Sequence, residues 1–351
     1  MTVGELYGRL KDKSKWFFME RDIGRLFSAL RSSGDFWEVL DLSEVPMLLA
    51  SWLVGELERE GFVAVVGEEV RLTEKGECFC RENDISRARR LECPWCRGKA
   101  VHVEAYMKVL REFKGLSLER PEPLRQYDQG YVTEESTVAR VVLMAARGDL
   151  EGNAILVLGD DDLAGLALAL TGAPKEVVVL DIDERLLDFI EDKAREVGFH
   201  NLEARRADFR DPLPEDLVGR FDVFLTDPSE SLPALKAFIG RGVVGLKGLG
   251  GAGYFGLTRA ESSLWKWREL EKILVEDFGM AITDIIHDFN AYLSWGYERE
   301  MKAWDYLPVK AEPKGIWYRS CWFRIERVEE THLENVPIEG EIVEDEEMAT
   351  A

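Results

Sequence analysis

The chain has little of what would place it in a membrane, on a secretory route or along a nucleic acid. No apolar run in its 351 residues reaches the roughly 18 that span a bilayer. The N-terminus, Met1 to Lys13, carries no hydrophobic signal core. Together these absences predict a soluble, cytoplasmic protein. Positive charge is also in deficit. Forty-five Lys and Arg stand against 67 Asp and Glu, a net charge of −22. That excludes the broad basic footprint that phosphates require and suits a cationic small molecule drawn in by the protein's field. Asn and Gln are scarce beside Glu, Arg and Lys, a thermophile-like balance. Cysteine is sparse as well, but four of the five fall between residues 78 and 96.

What is present is enough apolar residue, 46%, for two cores. Residues 1–100 predict helices followed by two short strands meeting at Gly67-Glu68, the pattern of a winged helix. Across residues 1–98 there are 15 basic and 18 acidic side chains, so a DNA-reading face is not expected and a dimerising or structural role is. Cys78 and Cys80 (C-x-C) with Cys93 and Cys96 (C-x-x-C) have spacings that can close a tetrahedral zinc site. Disulfides or free thiols are the alternatives. Residues 101–135 read as a linker or lid, whose Asp128, Gln129 and Glu134 are candidate substrate contacts. Residues 329–351 read as a solvated acidic tail, since ten acids and one base lie between Glu326 and the end.

Residues 136–328 carry a βα rhythm, and its first unit organises the rest. Ile155 to Leu158 is a continuous apolar run, the mark of a buried parallel strand. It ends in Gly159-Asp160-Asp161-Asp162, and an apolar helix follows. This is where nucleotide-binding folds keep a glycine-rich phosphate turn, but here acids stand in for the glycines. They would repel a pyrophosphate and admit an adenosine without phosphates, a cation, a metal or some combination of these; a plain helix cap needs only one Asp. Later strands end at Asp181, at Asp208 and at Asp227-Pro228, with another strand placed at Val243 to Lys247. Carboxyl ends of parallel strands share one sheet edge, so the four acidic positions converge on one crevice. The predicted fold is α/β, a Rossmann-like doubly wound sheet. Near the end, Tyr292, Trp295 and Tyr297 mix with acids, a combination that can hold a polyamine by cation–π contact or simply be half-buried sheet aromatics. His287 reads as a core histidine.

The acid at each strand end, over residues 135–325, resembles the fold shared by S-adenosylmethionine-dependent methyltransferases and aminopropyltransferases. The G-D-D-D motif at Gly159 to Asp162, with the N-terminal module, resembles the branched-chain polyamine synthases of thermophiles. That resemblance implies aminopropyl transfer from decarboxylated S-adenosylmethionine, a co-substrate, to the secondary amine of spermidine, with no catalytic cofactor and no membrane. The winged module suggests, by analogy, a homodimer. Gly159, Asp181, Ile182, Asp208, Phe209 and Pro228 would hold the donor, with Asp181 on the ribose and Asp208 on the adenine amine. Tyr292 and Tyr297 would join the substrate contacts. The base would come from Asp160, Asp161 or Asp162, with Asp161 placed first; Asp227, which matches the base of linear synthases, is the alternative.

The chemistry fits the residues, because a protonated amine cannot attack until a carboxylate takes its proton. Two rival readings stay open at this point. One is a nucleic-acid methyltransferase, for which Asp227-Pro228-Ser229-Glu230 lacks the aromatic of a base-flipping site. The other is a winged-helix ligand sensor.

Overall fold

A computed structural model describes residues 1–89, 96 and 99–350. The chain begins with helices α1 (Val3–Leu10), α2 (Glu20–Leu30), α3 (Phe36–Ser43) and α4 (Met47–Arg59), then an antiparallel hairpin, β1 (Val63–Val66) and β2 (Glu69–Leu72), and α5 (Glu74–Glu82). The hairpin turns at Gly67, in the left-handed region (φ 63°), which glycine adopts without strain. No described helix is long and apolar enough to cross a membrane.

Helices α6 (Met107–Ser117) and α7 (Glu134–Arg147) lead into the main sheet. Thr133 caps α7 and Gly148 ends it in the left-handed conformation, a sequence-encoded start and stop. There follow β3 (Ala154–Leu158), α8 (Ala164–Thr171), β4 (Glu176–Asp181), α9 (Glu184–Glu196), β5 (Leu202–Arg206), β6 (Val223–Thr226), α10 (Leu232–Gly245), β7 (Ala252–Thr258), α11 (Leu264–Lys272), β8 (Met280–Ala291) and β9 (Arg319–Arg327). The strand order is β5-β4-β3-β6-β7-β9-β8. The first five are parallel, and β9 and β8 add antiparallel.

Strand β3 is buried along its whole length, as its central place requires. Its alternate side chains feed two cores. Ile155 and Val157 join the layer of α6 to α9, while Leu156 and Leu158 join that of α10 and α11. Successive connections leave β3 towards β4 on one side, and β6 lies on the other, so the crevice of this sheet opens between the carboxyl ends of β3 and β6.

Several sequence expectations are corrected. Val243 lies in α10, and the strand comes after the glycine cluster, at Ala252–Thr258; Val243 is buried as part of that helix's inner face, which a short apolar run cannot distinguish from a strand. Gly76 lies in the first turn of α5; a Cβ there would stand 2.1 Å from the Phe62 carbonyl oxygen, so only glycine lets the helix sit so close. His287 is a surface residue paired with Glu44 of the N-terminal module. The acidic tail keeps Glu329, Glu330, Glu334, Glu339, Glu344 and Glu346 exposed, as expected, but its end is packed. Met348 and Ala349 are fully buried, and Lys266 binds Asp345 at 2.8 Å.

The N-terminal module does not stand apart. Its core continues into Trp295, Trp317, Tyr318 and Ala349. Cys78 and Cys80 lie two apart on α5, where side chains do not face each other. Cys80 is buried in that core, and burial pushes its thiol up to about 11. Among the described residues no three His, Cys, Asp or Glu gather as metal ligands. Cys93, the other half of the expected zinc site with Cys96, lies outside the described residues.

Candidate active site

The three adjacent aspartates have three different surroundings. After Gly159 (φ 71°), the chain turns through Leu163, a non-glycine residue at φ 57°. That uncommon conformation folds Asp160 back under α8, where its carboxylate accepts the N–H groups of Ala164 and Gly165. A Cβ on Gly165 would stand 2.8 Å from Asp160 Oδ2, so glycine admits the cap. Asp162 turns the other way, accepting from Val132 N–H and Arg140 Nη1, both at 2.7 Å. Asp161 alone of the three lines the cleft. Its Oδ2 accepts one backbone N–H, from Gly130 at 2.8 Å.

The cleft, of about 330 Å³, also takes in Asp128, Asp181, Asp208, Asp227 and Glu230. The acids thus meet at the sheet edge, as their strand-end positions dictate. Asp181 is fixed by the N–H groups of Asp160 and Asp183, each at 2.8 Å. Asp208 is held by Arg210, whose hydrogen bond draws its carboxyl below the ordinary range. Beside them Ile182, Phe209 and Phe238 form an apolar wall, with the two phenylalanine rings 4.4 Å apart.

The deeper acids behave differently. Burial, then the neighbouring Asp162 and Asp181, raise Asp161 well above its ordinary value. Burial and Glu261 bring Asp128 up to about 7, and burial brings Asp227 up to about 6. Burial, with Glu261 and Asp227, also raises Glu230. Such clustered, desolvated carboxyls favour a cationic ligand, whose charge reverses the shift.

Tyr292, Trp295, Tyr297 and Tyr318 build an aromatic wall over these acids. Tyr292 donates to Asp227 Oδ2 at 2.7 Å, and Tyr297 to the Gln129 carbonyl. A Cβ on Gly130 would press on Trp295 at 3.0 Å. The C-terminal segment closes the remaining side through Glu341, Ile342, Val343 and Thr350. It is anchored by Glu261, which is fully buried and accepts the N–H groups of Ala349 and Thr350 and the Tyr318 hydroxyl.

Of the expected site residues, Gly159, Asp161, Asp181, Ile182, Asp208, Phe209, Asp227, Pro228, Asp128, Gln129, Tyr292 and Tyr297 line the cleft. Asp160 and Asp162 do not: one is a helix cap and the other an ion-pair partner of Arg140. Glu134 does not either, because it faces Arg120 and Ser117 at 3.4 Å on the far side of α7's first turn. Gln129 reaches the cleft with its amide committed to Leu124 N–H and Asp183, so it holds its loop in place. The sequence reading missed Arg140, Glu261 and Tyr318. Arg140 had a signal, as the single charge within the apolar stretch Val138 to Met144.

Comparison with known proteins agrees with this geometry. Residues 108–350 match the family model described as branched-chain polyamine synthase A C-terminal domain. A relative named N(4)-bis(aminopropyl)spermidine synthase in Thermococcus kodakarensis is 46% identical, covering 99% of both chains. One of the same name in Methanocaldococcus jannaschii is 44% identical, covering 97% of this chain and 98% of its own. The crystal structure of the branched-chain polyamine synthase from Thermus thermophilus, in complex with N4-aminopropylspermidine and 5'-methylthioadenosine, superposes with a TM-score of 0.93. Its sequence identity is 41%, over 99% of this chain and 98% of that one. With an acid-lined cleft at the sheet's switch point and relatives matched end to end, the chain belongs to the branched-chain polyamine synthase family and is an aminopropyltransferase.

Proposed function

We propose that this chain moves aminopropyl groups from decarboxylated S-adenosylmethionine to the secondary amine of spermidine, with Asp161 as the base. The first transfer gives N4-aminopropylspermidine and the second N4-bis(aminopropyl)spermidine, each releasing methylthioadenosine. The observation that carries this is the position of Asp161, a cleft-facing carboxylate with one backbone donor, set among Asp128, Asp227 and an aromatic wall.

Adenosine lies on the Asp181, Ile182, Asp208 and Phe209 side, and the polyamine lies along Asp128, Asp227, Tyr292 and Tyr297. Asp161 takes a proton from the secondary ammonium. The freed lone pair attacks the carbon next to the sulfonium, the C–S bond breaks, and its electron pair stays on sulfur as a neutral thioether. Once Asp161 has released that proton to solvent and a second donor has replaced methylthioadenosine, the tertiary ammonium gives up its proton to the same carboxylate and attacks the second donor; the quaternary product has no proton to lose. One base therefore serves both steps. The carboxylates that line the cleft pair with the donor's terminal ammonium and repel the carboxylate that ordinary S-adenosylmethionine carries. Residues 1–100 act as a winged-helix-like packing unit for the aromatic wall, and the protein works in the cytoplasm as a homodimer.

Mass spectrometry of spermidine incubated with enzyme and decarboxylated donor is the test. Two successive additions on the internal nitrogen, lost in Asp161→Asn, are expected. Methylation by the ordinary donor with no aminopropyl adduct would overturn the reading.

A further inference from the structure

Two carboxylates flank the switch point, and the fold treats them unequally. Asp161 has a single backbone donor. Asp227 is gripped by Arg140, which is 2% exposed and donates from three nitrogens: Nε to Asn290 Oδ1 at 2.9 Å, Nη1 to Asp162 Oδ2 at 2.7 Å and Nη2 to Asp227 Oδ2 at 2.5 Å. The guanidinium stands 4.3 Å from the centre of the Trp322 ring. Tyr292 donates to the same Asp227 oxygen. The other oxygen, Oδ1, faces Gly256 on β7, where a Cβ would stand only 1.9 Å away. One oxygen of Asp227 is therefore saturated by a permanent cation and a hydroxyl, and its seat exists because residue 256 has no side chain.

We propose that Arg140 is a positioning residue that keeps Asp227 a fixed anion for an ammonium group of the polyamine, and so leaves proton removal to Asp161. This rests on the aminopropyl-transfer reading above. A carboxylate oxygen that already accepts from arginine and tyrosine gains a proton only by giving up one of those bonds. Asp161 gives up nothing comparable. The groups facing Asp227 are Arg140 from α7, Tyr292 after β8, Asp161 and Asp162 from the first loop, and Glu230 from its own loop. Arg140 is the cation among them, and it opposes the upward push of burial.

The test is steady-state kinetics against spermidine concentration and pH for the full chain and four variants. For Asp227→Asn, KM for spermidine rises about tenfold or more while the acidic limb of kcat stays where the wild type has it. Arg140→Gln shows the same rise in KM, and the acidic limb of its kcat/KM profile moves up by about one pH unit; Arg140→Lys recovers part of both. If Arg140→Gln does not fold, Gly256→Ala carries the test. It displaces Asp227 without altering any charge and raises KM for spermidine in the same way. Loss of the acidic kcat limb in Asp227→Asn with KM unchanged would overturn the assignment, as would wild-type KM in both Asp227→Asn and Gly256→Ala. A wild type that forms no aminopropyl adduct would instead overturn the underlying reading.

Discussion

The Asp160 to Asp162 loop and the C-terminal segment from Glu339 to Glu347 are both dense in acid, and the fold disposes of that charge in the same manner. In the loop, Asp160 caps a helix and Asp162 binds Arg140, which leaves Asp161 to the cleft. In the tail, Asp345 binds Lys266 and accepts the N–H groups of Leu232, Glu347 and Met348, Glu347 accepts from Ser263, and Glu341 reaches the cleft wall. The functional quantity is thus not how many acids a stretch holds. It is how many remain without a cation once backbone donors and buried bases have taken theirs.

The sharpest way to break that comparison is to replace the three loop aspartates one at a time. Asp161→Asn loses kcat by about 10²- to 10⁴-fold, the range for a general base, with little change in thermal midpoint. Asp160→Ala loses two capping bonds and costs about 1–2 kcal/mol of stability, with activity surviving in the folded fraction. Rates and melting curves on the same samples separate the two. A comparable loss of kcat in a fully folded Asp160→Ala protein would contradict the division of roles.

Glu261 tests the tail in the same spirit. Glu261→Ala leaves the N–H groups of Ala349 and Thr350 and the Tyr318 hydroxyl without their acceptor, and such buried donors cost about 1–3 kcal/mol each. Part of that is recovered as the segment detaches. Amide hydrogen exchange at residues 341–350 is expected to accelerate, and KM for spermidine to rise as one wall of the cleft opens. Unchanged exchange in this stretch would show that Lys266 and Ser263 hold the tail unaided.

Much of the site was legible because it depends on local rules. The run Ile155 to Leu158 must be a buried strand, and acids at strand ends must share an edge. What escaped depends on contacts between distant residues. Nothing local says which of three consecutive aspartates faces inward; the left-handed turn at Leu163 decides it. The tail read as solvated because its partners, Lys266 and Glu261, lie 79 and 88 residues away. Arg140 joins acids from two loops with Asn290 of β8, and no spacing rule connects those positions.

The smallest expected effect lies at an acid whose partner can itself titrate. Glu44 of α3's end binds His287 of β8 and lies 2.6 Å from Arg25. Burial would raise Glu44, but the His287 hydrogen bond and Arg25 outweigh it and bring it down to about 2. The same hydrogen bond, with Asp288 and Glu44 as nearby negative charges, raises His287 above its ordinary 6.5. The signs follow from linkage. The histidine's contribution is full below pH 6.5 and is lost as pH rises through its raised folded value. That of Glu44 is full above its ordinary 4.5 and is lost as pH falls towards about 2. The pair therefore stabilises most between pH 4.5 and 6.5. Because the imidazole is 56% exposed, solvent screening holds the effect below about 1 kcal/mol. The difference in thermal midpoint between wild type and His287→Gln should peak in that window and shrink on either side. A difference that grows steadily towards alkaline pH would mean that neutral His287, and not its charge, holds the N-terminal module to the sheet.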